Sequence, residues 1–186
     1  MGEPEYSHAE VVYHANTEEN VEKFIGGSLI ISQHPNDDYW LGEGMYFWDN
    51  KDNAVFWNKR RRDSEHTAIA KSQLAYHDSD IIDMVDTSAI FKLRKQIQKI
   101  CNILGLKFSQ YKHKPGASLD LLARYLKMNN RETFKLVRGA AHYDRQPTYS
   151  ITVDDDNIGR SHLTGKVKLM YCVRDDSLLS LRQVDE

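Results

Sequence analysis

The order of apolar and polar residues in the first half of the chain predicts short strands separated by two helices. The β-branched and aromatic residues within 10–14 favour a strand. A helix follows, capped by Asn16 or Thr17, with glutamates in its first turn and Gly26-Gly27 at its end. The other elements predicted in this half are strands at 28–33 and 44–48 and a helix at 50–62.

The second half contains one strongly helical stretch and several patterns typical of strands. Residues 87–104 place apolar side chains at helical spacing, on Ile90, Leu93, Ile97, Ile100, Cys101 and Leu104. A basic connector leads to a shorter helix at 119–128. Strands are predicted at 67–76, 81–85, 134–138, 149–153, 167–173 and 178–183. Strands at both ends with helices between them indicate an α+β fold, in a single domain spanning 1–186.

Two of the predicted strands each carry a residue of a type that can act in catalysis or ligand binding. His14 lies in "VYHAN" and Tyr46 in "GMYFW". A single histidine in an apolar strand is more often a core residue with its hydrogen bonds satisfied than a catalytic one, so neither residue is informative alone. Alternation along the strand predicts that Tyr46 and Trp48 point to one face while Met45 and Phe47 point to the other.

Charge and cysteine content narrow the class of protein. The 25 basic and 27 acidic residues give a formal net charge of −2, so contact with a polyanion requires a local basic patch. Cys101 and Cys172 lie far apart without metal-binding spacing, which predicts two buried thiols in a reducing compartment and no metal site. Without an export signal or an apolar stretch long enough to span a bilayer, a cytoplasmic protein that does not bind membranes is expected.

At this point the residues resemble a known family. His14 in "YHAN", Tyr46 in "LGEGMYF" and Trp57 eleven residues later are similar to the NAD-binding region of ADP-ribosyltransferases of the diphtheria-toxin and poly(ADP-ribose) polymerase type. The resemblance covers about the first 70 residues and rests on the order and spacing of short motifs. It implies an ADP-ribosyltransferase-like split β-sheet sandwich with helices packed around it, and NAD as co-substrate.

The resemblance assigns a role to several residues. It implies that His14 bonds the ribose on the adenosine side and that the backbone of Ala15 holds the nicotinamide carboxamide, where Ala replaces the usual Gly. It implies that Tyr46 and Trp57 stack on the two faces of the nicotinamide ring. Gly42 and Gly44 would allow the tight turn into the strand. The resulting set of NAD-binding residues is His14, Ala15, Asn16, Gly44, Tyr46, Ala54 and Trp57.

The implied reaction cleaves the N-glycosidic bond of NAD and transfers ADP-ribose to an acceptor. In the family a carboxylate on a late strand stabilises the cationic centre, but the position that aligns with it here is Met170. A register shift would bring Lys168 or Tyr171 inward instead, and Asp154, Asp155, Asp156 or Glu132 would be alternative sources of a carboxylate. The missing Glu favours transfer of single units over polymer formation, with His14, Tyr46 and Met170 in the catalytic positions.

The acceptor is a macromolecule, with RNA or DNA slightly favoured over protein. Basic residues follow Trp57 directly, at Lys59 and at Arg60, Arg61 and Arg62, and others decorate the long helix and the connector. Such runs are usually solvated faces, although several of them leave room for a track of phosphate contacts. The segment 140–150 contributes Tyr143 and Arg145 as candidate acceptor contacts, and a polar surface loop is an equal interpretation.

Two further hypotheses stand beside the transferase. One is a catalytically silent module of the same fold that binds a nucleotide or a partner protein, as Met170 would allow. The other is a nucleic-acid-binding protein whose aromatic residues are core and whose basic patches bind phosphate. Within the transferase hypothesis, small size and the absence of an export signal suit a toxin of a toxin–antitoxin or phage-defence system, with an antitoxin as an additional partner.

Overall fold

The structure is a computed structural model that describes residues 6–32, 34, 36–59, 66–142 and 167–185. The predicted strand at 149–153 lies outside this part of the chain. The same holds for several candidate site residues, namely Arg60, Arg61, Arg62, Tyr143, Arg145, Asp154, Asp155 and Asp156.

Four helices and seven strands make up the regular structure of the described residues. The helices are α1 (Glu18–Ile25), α2 (Lys51–Asn58), α3 (Thr87–Leu104) and α4 (Pro115–Met128). The strands are β1 (His8–Thr17), β2 (Met45–Trp48), β3 (Thr67–Tyr76), β4 (Ile81–Asp83), β5 (Leu136–His142), β6 (Val167–Val173) and β7 (Leu179–Val184). The α+β class is therefore confirmed.

Local sequence explains where the helices begin and end. Side-chain oxygens of Thr17, Asn50 and Asp86 accept the backbone N–H of Asn20, Asn53 and Ser88, which caps the first turns of α1, α2 and α3. Gly105, with φ of 67°, ends α3 in the left-handed conformation that glycine adopts without strain. The predicted bounds of α3, β3 and β6 agree with the structure.

One predicted strand is absent, and several predicted bounds differ from the structure: β1 extends beyond 10–14 at both ends, β4 ends before residue 85, and β5 lies later than 134–138. The chain from Ser28 to Ser32 is not a strand in the structure. It runs as an irregular segment held by the Ser32 N–H bond to the Gly44 oxygen, at 2.9 Å, while Leu29 and Ile30 pack on the core. The fourth helix begins at Pro115 and not at 119, because proline is well suited to the first helical turn.

The sheet is mixed and is nearly divided in two. Its strand order is β4-β5-β6-β2-β1-β3-β7. β1 pairs with β3 along its whole length, whereas it pairs with β2 at one position, Tyr13 opposite Trp48. The half formed by β4, β5, β6 and β2 is thus joined to the half formed by β1, β3 and β7 through a thin junction.

Two apolar cores lie on the two sides of this sheet, and alternation along β2 separates Tyr46 and Trp48 from Met45 and Phe47 as predicted. The residues of β1 divide between the two cores in the same way. The first side, here called the tryptophan face, contains Ala15, Tyr46, Trp48 and Trp57 beneath α2, α3 and α4. The second side, here called the histidine face, contains His14 packed on Phe24 and Phe47, with the rings 6.4 and 5.5 Å apart between centroids.

Both cysteines are buried free thiols, as predicted, Cys101 in α3 and Cys172 in β6. Neither α3 nor any other helix in the described part of the chain combines the length and the apolarity that a membrane span requires. Among the same residues, no three His, Cys, Asp or Glu side chains converge in a way that could hold a metal ion.

Candidate functional site

Tyr46 lies on the tryptophan face, half-buried, with its hydroxyl turned into the preceding loop. The hydroxyl donates to the Gly42 oxygen at 2.7 Å and accepts the Leu41 N–H at 3.2 Å. Burial raises the pKa of Tyr46 well above its usual range, and the neighbouring Cys172 acts in the same direction. The hydroxyl therefore fixes the loop and stays protonated, while the ring carries the surface that a ligand could contact.

The two glycines before Tyr46 are required by close packing. A Cβ on Gly42 would lie 2.5 Å from the Asp120 carboxylate and 2.7 Å from the Arg174 guanidinium, and φ is 79°. A Cβ on Gly44 would lie 2.4 Å from the Cys172 sulfur. Side chains at these positions would collide with groups that hold the loop, so the glycines serve the packing of this loop against β6 and α4.

An ion pair locks the loop in place. The Arg174 guanidinium bonds Asp120 and the Leu41 oxygen, both at 2.8 Å, and Asp120 accepts the Glu43 N–H at 3.0 Å. The loop also lies directly against α4, where a Cβ on Gly116 would come within 1.9 Å of the Asp37 oxygen. Tyr46 is consequently presented by a rigid segment.

Trp57 approaches the same face from α2. Its ring lies 6.0 Å from that of Trp40 and 5.8 Å from that of Trp48, between centroids. Trp40, Phe56 and Trp57 are partly buried against the core. All three tryptophans of the chain therefore form one group on the side of the sheet that carries Tyr46.

Small and polar residues complete this side. The strand register places Ala15 beside Tyr46, and Ala15 and Ala54 are buried in the core. Lys168, from β6, is 7% exposed, bonds the Asn53 side-chain oxygen and lies 4.7 Å from the centre of the Phe56 ring. This places a buried cation among the aromatic residues.

His14 leaves the sheet on the opposite face from Tyr46. Its Nδ1 lies 2.6 Å from the Tyr46 backbone oxygen, and its Nε2 lies 3.0 Å from Asn16 Nδ2. Asn16 Oδ1 accepts the Thr17 N–H, which fixes the orientation of the amide. Nε2 is thus the acceptor and the proton sits on Nδ1. Both ring nitrogens of His14 are bonded within the chain, and Asn16 orients His14.

Met170, which the resemblance aligns with a carboxylate of the family, is a core thioether. Met170 pairs with Trp48 across β6 and β2, is 2% exposed and contributes to the tryptophan-face core. Of the alternatives, Lys168 points to the same face, Tyr171 points to the histidine face, and Glu132 is exposed at the surface. The residues 154–156 lie outside the described chain.

The histidine face contains a polar group that sequence reasoning missed. The buried hydroxyls of Tyr76 and Tyr171 both donate to the Glu10 carboxylate, at 2.6 Å for Tyr76. Beside them Arg138 binds Asp83 through two nitrogens, one at 3.1 Å. Burial, and then the bond to Glu10, raise the pKa of both tyrosines. Glu10 and Tyr171 link the two halves of the sheet, and only the strand register could have revealed this.

Comparisons with known proteins identify no family. The chain is 21% identical over 182 residues to the uncharacterized protein MJ0359 of Methanocaldococcus jannaschii, which covers 90% of this chain and 83% of that protein. No family model matches the chain. A search of solved structures gives no significant match.

Proposed function

We propose that this protein is an NAD-dependent mono-ADP-ribosyltransferase whose nicotinamide slot is formed by Tyr46 and Trp57. The observation that carries the proposal is the position of these two residues relative to the junction in the sheet. The sheet is joined by a single residue pair between β1 and β2, and Tyr46 and Trp57 lie on one side beside this junction. The resemblance implies a split sheet and two aromatics on the nicotinamide ring, and a thin junction with two aromatics beside it supports the proposal.

The chemistry of the tryptophan face suits NAD. The nicotinamide ring of NAD is flat and cationic, and the half-buried rings of Tyr46 and Trp57 offer it π surface. The neighbouring Ala15 and Ala54 are small residues packed into the core on the same face. Lys168 supplies positive charge on the same face, which complements the pyrophosphate.

In this proposal His14 is a positioning residue. Its Nδ1–H bond to the Tyr46 oxygen joins β2 to β1 at the point where the two strands share a single residue pair, and so fixes the strand that presents the ring. Substitution of His14 would therefore weaken ligand binding indirectly, because Tyr46 would be displaced.

The reaction breaks the bond between the nicotinamide nitrogen and C1′ of the ribose. Nicotinamide leaves with the bonding electron pair, and a nucleophile of the macromolecular acceptor forms the new bond to C1′. Because Met170 supplies no charge to a polymerising site, the expected product carries single ADP-ribose units. A toxin in a toxin–antitoxin or phage-defence system is the setting that we propose for this activity.

One observation favours a second function, a catalytically silent module that binds NAD or another nucleotide. Met170 places a buried thioether where the family carries a carboxylate, so no charge at that position stabilises the developing cation. In this case the slot between Tyr46 and Trp57 binds the ligand and the glycosidic bond stays intact.

Release of nicotinamide from NAD separates the two functions. Purified protein is incubated with NAD labelled in nicotinamide, and with NAD labelled in adenylate together with a cell extract. Release of nicotinamide that falls at least tenfold in Trp57→Ala supports the transferase. The control is Tyr6→Ala, which removes an exposed aromatic that stacks on His77 elsewhere, and should keep full activity.

The outcomes are distinct. Adenylate label that becomes macromolecular and disappears with nuclease or with protease identifies the acceptor class. Saturable binding of NAD without release supports the silent module. Absence of both from folded protein overturns the proposal.

A further inference from the structure

The charges of this chain are strongly segregated. Residues 87–119 contain seven Lys or Arg residues and no Asp or Glu. Since the whole chain carries −2, the remainder carries a net charge of −9. The overall charge therefore hides a strongly basic segment, which comprises α3, the connector and the start of α4.

Six of these seven cations are exposed, and here they are called the basic surface: Lys92, Arg94, Lys95, Lys99, Lys107 and Lys112. The seventh, Lys114, binds Asp38 at 3.0 Å. Within the described chain, none of the six forms a salt bridge of 4.0 Å or less with a carboxylate. Their charge is thus available to an external anion.

Helix geometry groups three of these lysines on the outer side of α3. Leu93, Ile97, Ile100 and Cys101 are buried against the sheet. Lys92, Lys95 and Lys99 follow each other at intervals of three and four residues on the side away from this buried stripe. At a rise of 1.5 Å per residue they span ~10 Å, about the length of three nucleotides in one strand of a B-form duplex.

An exposed aromatic side chain lies at the N-terminal end of this row. Phe91 is 60% exposed and lies one turn from Lys95. The apolar side of α3 is already used in the core. Its exposed apolar residues, Ile90, Phe91, Ile103 and Leu104, lie at the two ends of the helix, so the outer side lacks the continuous apolar stripe that a membrane-surface helix needs. A row of cations with an aromatic side chain at one end suits the phosphates and bases of a nucleic acid.

We propose that the basic surface binds nucleic acid through its phosphate backbone, with Phe91 stacking on an unpaired base. Binding itself is independent of the NAD reaction. The role of the bound nucleic acid as ADP-ribose acceptor rests on the proposed function, which α3 would serve by covering the same face of the sheet as Tyr46 and Trp57.

Fluorescence anisotropy with labelled oligonucleotides tests the proposal. The probes are single-stranded DNA, single-stranded RNA and duplex DNA, titrated with the full chain at several salt concentrations. The triple variant Lys92→Glu, Lys95→Glu, Lys99→Glu should lose at least tenfold in affinity. Each lost phosphate contact should also reduce the slope of log K against log salt by about 0.7 to 0.9.

A matched control reverses three other charges. Arg124, Lys127 and Arg131 are exposed but lie outside the acid-free segment, and their triple change to Glu alters the net charge equally. This control should retain most of the affinity. If both triple variants lost the same affinity, net charge alone would explain the effect, and the proposal would be overturned. Circular dichroism and thermal melts of both variants establish that they are folded.

Phe91→Ala separates stacking from charge. It should weaken binding of single strands at least fivefold, leave the duplex unchanged and keep the salt slope. Polyglutamate and anionic liposomes serve as competing ligands. Binding of either in preference to all three oligonucleotides, or no binding of any oligonucleotide at low salt, overturns the proposal. Because the assay contains no NAD, its result is independent of nicotinamide release.

Discussion

The two faces of the sheet differ in how their polar and aromatic side chains are bonded and buried. On the histidine face, His14 and Glu10 are bonded to partners from other strands, and the two tyrosines that bind Glu10 are nearly fully buried. On the tryptophan face, Tyr46 and Trp57 keep part of their rings exposed. The first face holds the halves of the sheet together, and the second leaves aromatic surface partly exposed, which is where we propose that the ligand binds.

The two residues that the sequence pairs, His14 and Tyr46, place their side chains on opposite faces of the sheet. His14 and Tyr46 lie on neighbouring strands, and β1 places Tyr13 and Ala15 on the side of Tyr46. Because side chains alternate along a strand, His14 belongs to the other side. Its connection to Tyr46 runs through the Tyr46 backbone oxygen, so the pair acts as one unit without sharing a face.

The largest expected effect lies on the tryptophan face, at the contact that holds the loop before Tyr46. Gly116→Ala places a methyl group 1.9 Å from the Asp37 backbone oxygen, which cannot move as a flexible side chain would. We expect a loss of about 3 kcal/mol or more in the free energy of unfolding, measured by urea denaturation.

Gly105→Ala is the matched control for that substitution. Gly105 has φ of 67° but nothing within 4 Å of its added Cβ, so the cost is backbone strain of about 1 kcal/mol. If the two variants lost equal stability, the close docking of the loop on α4 would be contradicted.

The next effect lies on the histidine face. Glu10→Ala leaves the buried hydroxyls of Tyr76 and Tyr171 without their acceptor, and we expect a loss of about 2 to 3 kcal/mol. NAD binding should be unchanged, because the substitution lies on the other side of the sheet. Calorimetric melting together with an NAD titration measures both quantities.

The Tyr76→Phe, Tyr171→Phe double variant shows whether Glu10 acts through these hydroxyls. In that background Glu10→Ala should lower the free energy of unfolding by clearly less than it does in the wild type. An NAD affinity that falls with Glu10→Ala, in protein shown to be folded, would break the separation of the two faces.

Tyr46→Phe distinguishes the ring from the hydroxyl on the tryptophan face. The variant loses the bonds to Gly42 and Leu41, so we expect a loss of about 1 kcal/mol in the free energy of unfolding. NAD affinity should stay within about twofold, because stacking uses the ring. Urea denaturation and ligand titration of the same preparation test both points, and a tenfold loss of affinity would assign the hydroxyl to the ligand.

The smallest effect concerns Asp185, which binds Lys51 and Lys71 at 2.8 and 3.1 Å. The bond to Lys51 holds the pKa of Asp185 below 3.8. The folded state thus gains stability above that pH and loses it as the pH falls through the lowered pKa. Asp185→Asn should be less stable at pH 7 by under about 1 kcal/mol, because both lysines that pair with this largely buried carboxylate stay partly exposed to water.

Melting curves across pH test this sign. The difference between wild type and Asp185→Asn should shrink as the pH falls well below 3.8. A difference that grows toward acid would contradict the ion pairs.

Strong local patterns allowed much of the fold to be predicted. The helical spacing of α3 and the apolar runs of β3 and β6 set their limits, and alternation in β2 placed Tyr46 and Trp48 together. Ser28–Ser32 has the composition of a strand, yet its apolar residues pack as an irregular segment. No local pattern distinguishes these two outcomes, because both bury the same side chains.

The sequence singles out candidate site residues but does not show their geometry. Tyr46 stands out as an aromatic beside glycines and Trp57 as the second of two adjacent aromatics. The reason for Gly42, however, lies in Asp120 and Arg174, far away in sequence. The Glu10 group likewise depends on the alignment of β1, β3 and β6. Long-range register of this kind is set by the packed sheet, and a single sequence does not contain it in local form.

Tryptophan fluorescence during titration with NAD tests the central claim most directly. All three tryptophans lie on the tryptophan face, so their emission reports on the side where the slot is proposed. We predict saturable quenching by NAD below about 1 mM, retained in Glu10→Ala and weakened at least tenfold in Tyr46→Leu. Absence of saturable quenching, or equal quenching in wild type and Tyr46→Leu, would contradict a nicotinamide slot on this face.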